Sequence, residues 1–318
     1  MSNKVSIVII NKNGEKFLKR LLRTLINSCS DYLCEIIIVD NASTDKSIDI
    51  INEIYKDLNT SKHHLKIVRL KRNAGFCYAV NVGVAFSTSQ LVAILNSDLY
   101  VDDGWLIPIL KIFESSSSRI GVVQPLICWY QYPEKVQSTG LYADVIGNYK
   151  GNQFDSKAIL APFGAAYVVR RSAFMRIGGL DPIYFMYGDE LDLGLRMWLA
   201  GYMVILEPSA RVYHYMGGVT PSSTYFKYLK YFLMRRNQVI TLIKSLSLKH
   251  LLVVYPLLAI YNIFRGIISR ETFRAILAAY MNIAHNARYI ITKRRLYLKI
   301  KVLSEDKLRR WGLLRSLM

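Results

Sequence analysis

Four short apolar runs, each followed by a segment of helical period, constrain the fold of this chain more than any other feature. Val5–Ile10 is a continuous Val- and Ile-rich run. It is too short for a helix and reads as a strand buried on both faces. Phe17, Leu18, Leu21, Leu22, Leu25 and Ile26 then recur at helical spacing. Ile36–Val39 is the second strand. Behind it, Ser43, Thr44 and Asp45 offer N-cap chemistry to a helix carrying Ile48, Ile51, Ile54, Tyr55 and Leu58. Leu65–Leu70 is the third strand, before a helix near residues 75–86, and Leu91–Leu95 is the fourth. This alternation predicts an α/β domain with a mainly parallel sheet and helices on both faces.

Beyond Gly121 the pattern is mixed. Val122–Val123, Ala165–Val169 and Met203–Leu206 read as further strands, Asp189–Ala200 as a helix, and Ser138–Gly151 as a loop or lid. After about Tyr225 the strand signals stop, so the chain divides into an α/β domain over 1–224 and a helical region over 225–318. Charge follows the same division. Residues 211–318 hold 20 Lys+Arg against 3 Asp+Glu, a net +17 of the whole chain's +19. Such asymmetry calls for an anionic partner, a nucleic acid or a membrane surface. Leu251–Phe264 is free of charge but contains Pro256. Its 14 residues reach only about 21 Å, short of a hydrocarbon core of about 30 Å. Short apolar segments among Arg274, Arg288, Lys293, Arg294, Arg295, Lys299 and Lys301 predict basic amphipathic helices lying on a membrane, with a helical subdomain bearing a solvated basic face and a re-entrant or spanning segment as the alternatives. The N-terminus carries no signal-peptide pattern. The expected location is cytoplasmic, peripheral on the inner face of the cell membrane.

Three acidic stations carry the chemistry: Asp40 in EIIIVDNASTD, Asp98 in LVAILNSD, and Asp189–Glu190 in YFMYGDELDL. Open α/β sheets bind ligands at the carboxyl ends of their strands. The glycine fingerprints GxGxxG and GxxxxGK[ST] are both absent, so a phosphate must be held another way. A divalent cation on a carboxylate is the natural alternative. Cys29, Cys34, Cys77 and Cys128 form no CxxC pair, which argues against a zinc site.

Six motifs in order over residues 5–218 resemble family 2 glycosyltransferases of the inverting, nucleotide-sugar-dependent GT-A type, rhamnosyltransferase-like members among them. They are VSIVIINKNG, EIIIVDNASTD, RNAGFCYAVNVGV, LNSD, GGLDPIYFMYGDELDLGLR and VYHYMGG. The resemblance implies a GT-A nucleotide-sugar-binding fold with the basic helical region appended. It implies that Asp40 recognises the base, with Asn11 beside it at the opening of the first strand. Asn73 faces the donor, Asn81 reaches its sugar, and Asn96 precedes the metal station. Asp98 holds Mg2+ or Mn2+, with His214 as a second ligand. The family's metal motif is commonly a pair of aspartates, and Asn96 stands in place of the first. The family's usual Glu-Asp pair is reversed here to Asp189–Glu190. Glu190 occupies the position of the base, with Asp189 as its rival or as a sugar-binding partner.

On its own chemistry Asp40 suits a base contact and a turn cap equally, Asn41 and Ser43 suit the turn and cap, and Gly83 suits packing. Asp192 and Arg196 suit a helix-surface ion pair. The start of the helix after Asn73 suits phosphate binding through free amides. The function implied is metal-dependent transfer of a sugar from a UDP- or dTDP-sugar to a hydroxyl of a lipid-linked or polysaccharide acceptor, in cell-envelope polysaccharide biosynthesis. The expected partners are the nucleotide-sugar donor, that acceptor and an anionic membrane surface, with no nucleic acid. A sugar nucleotidyltransferase is the second reading, although NKNGEKFLKR lacks the Gly- and basic-rich loop it needs. A non-catalytic membrane- or nucleic-acid-binding protein is the third.

Overall fold

Apolar runs that alternate with amphipathic helices leave the strands only one place to go, the centre of a layered sheet. The computed structural model describes residues 5–28, 34–58, 64–115, 119–144, 146–150, 157–215, 217 and 223–315. The first four strands are β1 (Val5–Asn11), β2 (Cys34–Asp40), β3 (His64–Arg69) and β4 (Leu91–Asn96). They alternate with α1 (Glu15–Ser28), α2 (Ser47–Leu58) and α3 (Phe76–Phe86). β3, β2, β1 and β4 run parallel in that spatial order. β1 is therefore flanked by β2 and β4, and the strand order reverses there, where such sheets bind ligands.

The rest of the sheet is built from β5 (Leu99–Val101), β6 (Ile120–Trp129), β7 (Val136–Ser138), β10 (Ala166–Arg170) and β11 (Met203–His214), with α4 (Leu106–Ser115) between β5 and β6. β10 enters antiparallel between β4 and β6, β11 runs parallel to β6, and β5 closes the far edge antiparallel to β11. The sheet is mainly parallel in its first half and mixed in its second. Pleating sends Val5, Ile7 and Ile9 to one apolar core with α1 and α4. It sends Val8 and Ile10 to another, with α3 and α6 (Asp189–Leu199). Gly83 allows α3 to lie close on β1, since a Cβ there would sit 2.2 Å from Val8 Cγ1. Its role is packing.

Two sequence expectations change. The stretch 138–151 contains β8 (Tyr142–Asp144) and β9 (Tyr149–Lys150), which form a small sheet with β12 (Leu314–Arg315) from the far end of the chain. The helical region is therefore anchored at both its ends. It comprises α7 (Thr224–Ser245), α8 (Leu248–Ile268), α9 (Arg270–His285), α10 (Ala287–Ile300) and α11 (Glu305–Arg310). Helix α5 (Arg171–Arg176) precedes them in the α/β part, directly after β10. The apolar helix is also longer than the uncharged run: α8 passes through Pro256 and takes in Lys249 and Arg265. At 21 residues it measures about 31 Å, enough by length alone to cross a bilayer.

α7 docks through polar side chains. Lys244 is fully buried, with its Nζ 2.7 Å from Asp181 and 3.2 Å from Asp192. Asp192 also pairs with Arg196 at 2.5 Å, and both are almost completely buried. The helix-surface pair expected of Asp192 and Arg196 is a core ion pair. The same i, i+4 spacing serves a wet or a dry face, and α7 makes this one dry.

Candidate active site

The nucleotide end grows from the register of β1 on β2. Asn11 and Asp40 are opposite partners at the ends of their strands. Asn11 Nδ2 donates to Asp40 Oδ1 at 2.9 Å and to Ser43 Oγ at 3.0 Å. Asp40 Oδ2 accepts from the Ser43 amide at 3.2 Å, so the turn role of Asp40 is present. The two strand-end loops lock together. Asn13 N donates to Ser43 Oγ, Gly14 N to Ser47 Oγ, and Glu15 N to Asp45 Oδ2. The cap chemistry expected for α2 is thus spent largely across the loops. Asp45 does accept from the Ser47 amide at the start of α2, and these donors hold its carboxyl below the usual range against the opposing effect of burial.

Asn73 lies next to this pair through Asn41, whose Nδ2 donates to Asn73 Oδ1 at 3.0 Å. Asn41 Oδ1 accepts from the Ala74 amide, and Asn73 Oδ1 from that of Gly75. The Cys77 amide is taken by the Phe185 carbonyl. These amides at the start of α3 are already bonded within the protein, so the phosphate cradle expected there is not formed by them. Asn81 lies one helical stretch further on. Its Nδ2 donates to Leu180 O at 2.6 Å and its Oδ1 accepts from Leu180 N at 2.9 Å. Those bonds clamp α3 to the loop that leads to α6.

The metal station is assembled across the sheet. Asn96 ends β4, its amide bonded to Ala165 O. Asp98 follows, and antiparallel pairing of β5 with β11 sets His214 opposite Leu99. His214 Nε2 is 3.3 Å from Asp98 Oδ1, and both side chains are nearly buried. Gln137 Oε1 lies 2.8 Å from His214 Nδ1. That oxygen can accept from Nδ1, which leaves Nε2 facing the Asp98 carboxylate. Two electron-rich atoms in a buried site need a cation or a proton between them. Adjacent ligands of an octahedral ion at bond lengths of about 2.1 Å lie about 3 Å apart, close to what is observed. Among the described residues no third carboxylate, imidazole or thiol joins the pair, so a cation would complete its shell from substrate or water. Met216 and Gly218 of the same motif fall outside the described residues.

The third station sits behind a strained loop. Phe185, Tyr187 and Gly188 all have left-handed backbones, with φ of 62°, 65° and 77°. For the two aromatic residues that conformation costs about 1–3 kcal/mol each. The compensation comes from α7. Asn237 Nδ2 lies within bonding distance of the carbonyls of Tyr184 (3.0 Å), Met186 (3.0 Å) and Tyr187 (2.6 Å). Arg236 adds bonds to the Ile183 and Tyr184 carbonyls. Gly75 lets the donor-side turn touch this loop, since a Cβ there would lie 2.6 Å from the Phe185 carbonyl oxygen. The loop delivers Asp189 and Glu190 into the first turn of α6.

Their environments differ. Asp189 is buried, and burial followed by repulsion from Glu190 pushes its carboxyl well above the usual range. Glu190 is half-buried. Burial raises it too, but amides of Glu190, Gly188 and Gly164 favour its anion. Gly164 leaves room for this carboxylate, because a Cβ there would come within 2.7 Å of Glu190 Oε1 and displace it. Two adjacent carboxyls, one deep and one reachable with amide support, hold one proton most easily on Asp189. Gln137, Gly164, Arg236 and Asn237 were not legible as site residues, because each acts on a group far away in sequence.

Comparisons with known proteins follow the same lines. Residues 6–178, more than half of the chain, match the family model described as Glycosyl transferase family 2. The chain is 29% identical over 228 residues to the inactive polypeptide N-acetylgalactosaminyltransferase-like protein 5 of Macaca fascicularis, covering 66% of this chain and 51% of that one. It is 48% identical over 52 residues to N-acetylglucosaminyl-diphospho-decaprenol L-rhamnosyltransferase of Mycobacterium tuberculosis, covering 16% of this chain and 17% of that one. The solved structure of GalNAc-T7 with UDP, GalNAc and Mn2+ superposes with a TM-score of 0.61 at 20% identity, covering 76% of this chain and 48% of that one. That likeness shows the GT-A-type fold. The chain spans about half the length of the N-acetylgalactosaminyltransferase-like relative.

Proposed function

The chain belongs to glycosyl transferase family 2 and is a glycosyltransferase, and from that premise we propose that it transfers a sugar with inversion from a UDP- or dTDP-sugar to an acceptor hydroxyl. The observation that carries the reading is the approach of two separate devices through the segment 163–165, where the Phe163 ring meets His214 edge-on and Gly164 abuts Glu190. One is the Asp98–His214 pair, fixed by Gln137. The other is the Asp189–Glu190 pair, fixed by α7 through its loop. Asp40 and Asn11 hold the base, with Asn73 and Asn41 lining the donor side. Asp98 and His214 hold a divalent cation, Mg2+ or Mn2+. Such an ion, when bound, neutralises charge developing on the leaving diphosphate.

Glu190 accepts the proton of the acceptor hydroxyl at its carboxylate. The acceptor oxygen bonds to the anomeric carbon as the bond from that carbon to the diphosphate oxygen breaks. Its raised pKa suits a group that must take up a proton near neutral pH. Asp189, holding its own proton, stays neutral beside it. The acceptor proposed is a lipid-linked sugar or a growing polysaccharide. The rhamnosyltransferase relative, whose name specifies a decaprenol-linked sugar, supports that class.

The test is a donor screen. The protein is incubated with UDP-, dTDP- and GDP-sugars and Mg2+ or Mn2+, and release of nucleoside diphosphate is measured. The expected result is metal-dependent release from a UDP- or dTDP-sugar that Asp98→Ala abolishes. Equal release from Asp98→Ala and wild type would overturn the metal assignment.

A further inference from the structure

The helical region carries an apolar face that the catalytic reading does not use. Of the 25 large hydrophobic side chains exposed among the described residues, twelve fall between Leu248 and Met281, on α8 and α9. In the stretch 248–267, with mean hydropathy 1.4, only 28% is buried. α8 touches the protein along one stripe, with His250, Val254, Leu258 and Asn262 buried. The opposite side is bare, including Leu252, Ile260, Ile263, Phe264 and Ile267. Bare apolar area of this extent marks an interaction surface.

What covers it is argued from charge. α9 folds back from Ser269, which caps it through Thr272 N. Gly266 admits Phe273 against α8, and Asn262 donates to Tyr280. The outward face of α9 alternates Phe273, Leu277 and Met281 with Arg270 and Arg274. Apolar rings and aliphatic chains interleaved with cations match the headgroup boundary of an anionic bilayer. A spanning α8 would have to pass the hairpin tip, with Arg265, Arg270, Glu271 and Arg274, through the hydrocarbon core and pull its buried stripe off the protein. A second copy of this chain would bring its own net +17 region against the same charge.

We propose that the α8–α9 hairpin is a membrane-docking face that lies in the interface plane of an anionic lipid bilayer. α7 ties this face to the site, because it packs on α9 while its Asn237 holds the loop before Glu190. A protein seated this way draws acceptors from the bilayer surface, a point that rests on the acceptor class proposed above. The docking itself does not.

The test is flotation of the full chain with vesicles of phosphatidylcholine alone or mixed with phosphatidylglycerol. Binding is read without any sugar transfer, so its failure leaves the transferase reading standing. The expected result is binding to the anionic vesicles, weakened by high salt and released by alkaline carbonate. Ile260→Glu with Phe264→Glu, both at exposed positions, should weaken binding at least about tenfold with the unfolding curve unchanged. Arg270→Ala with Arg274→Ala should weaken it without touching the apolar face. The proposal is overturned by absence of flotation, by equal binding to neutral vesicles, or by unchanged binding in both variants. Retention after carbonate would mean a spanning helix and would overturn the interfacial seating. A lipid-free dimer that the Ile260/Phe264 variant dissociates, with no vesicle binding, would assign the face to a second copy.

Discussion

Replacing Lys244 with Met should unfold this protein more readily than its place in a basic helical region suggests. Lys244 is fully buried between Asp181 and Asp192, at 2.7 and 3.2 Å. At an effective dielectric of 20 those contacts are worth about 6 and about 5 kcal/mol before desolvation. The ammonium gives back several kcal/mol for leaving water, and removing one partner of such a buried pair typically costs about 3–5 kcal/mol. Two buried carboxylates then remain with one guanidinium, that of Arg196. Asp181 keeps bonds from Tyr289 and the Ile183 amide, which soften the loss but carry no full charge. The assay is urea or thermal unfolding followed by tryptophan fluorescence, where the expected fall in Tm is on the order of 10 °C. Adding Asp181→Asn to Lys244→Met should restore part of the loss. Burial alone would raise Asp181, but Lys244 holds its carboxyl below the usual range. Its contribution is therefore complete above the ordinary carboxylate pKa and disappears as pH falls through the lower native value, so the cost of Lys244→Met, which leaves Asp181 to burial, should shrink as pH falls and acid unfolding should be flatter than in wild type. A change within about 1 kcal/mol of wild type would refute the reasoning, because it would mean the network compensates itself.

Glu190→Gln should reduce transfer by about 10²–10⁴-fold, while Asp189→Asn, which imitates the protonated acid, should cost far less; the opposite order would make Asp189 the base. Since burial raises Glu190, the acid limb of the rate profile should lie above the usual carboxylate range, with activity lost as pH falls through it; a limb at an ordinary glutamate's pKa would count against this. Gln137→Leu removes the acceptor for His214 Nδ1 and should raise the metal concentration needed for half-activity by about 10–100-fold, with little change at saturation. Asn237→Ala leaves loop carbonyls without their donor, and should cost about 1–3 kcal/mol and raise KM for the acceptor more than for the donor; equal effects on both substrates would remove Asn237 from acceptor positioning.

The legible part of the site was its skeleton. Asp40, Asp98 and Glu190 each stand where a strand or loop ends, and strand ends are visible in the apolar runs. His214 was legible only through its motif. What the runs could not reveal was which polar groups would meet. Gln137 and His214 are 77 residues apart and join through β6, which pairs with β7 and β11. Asn81 stands within a donor-side motif, and its bonds to Leu180, 99 residues away, were not visible from it. Asp192 and Arg196 looked like a surface pair because i, i+4 spacing says nothing of what covers the helix.

By itself the sequence determined the parallel half of the sheet, the order of the three acidic stations and the basic balance of the last third. All three follow from local period and composition, which need no partner. Only the tertiary structure decided that α7 packs into the α/β body, with Lys244 and Asn237 buried in it, and that nearly half of the large apolar side chains left exposed gather on the α8–α9 hairpin. The physical reason is that a helix pattern shows how much of its surface is apolar, while a buried charge is tolerated only where a distant partner arrives to meet it.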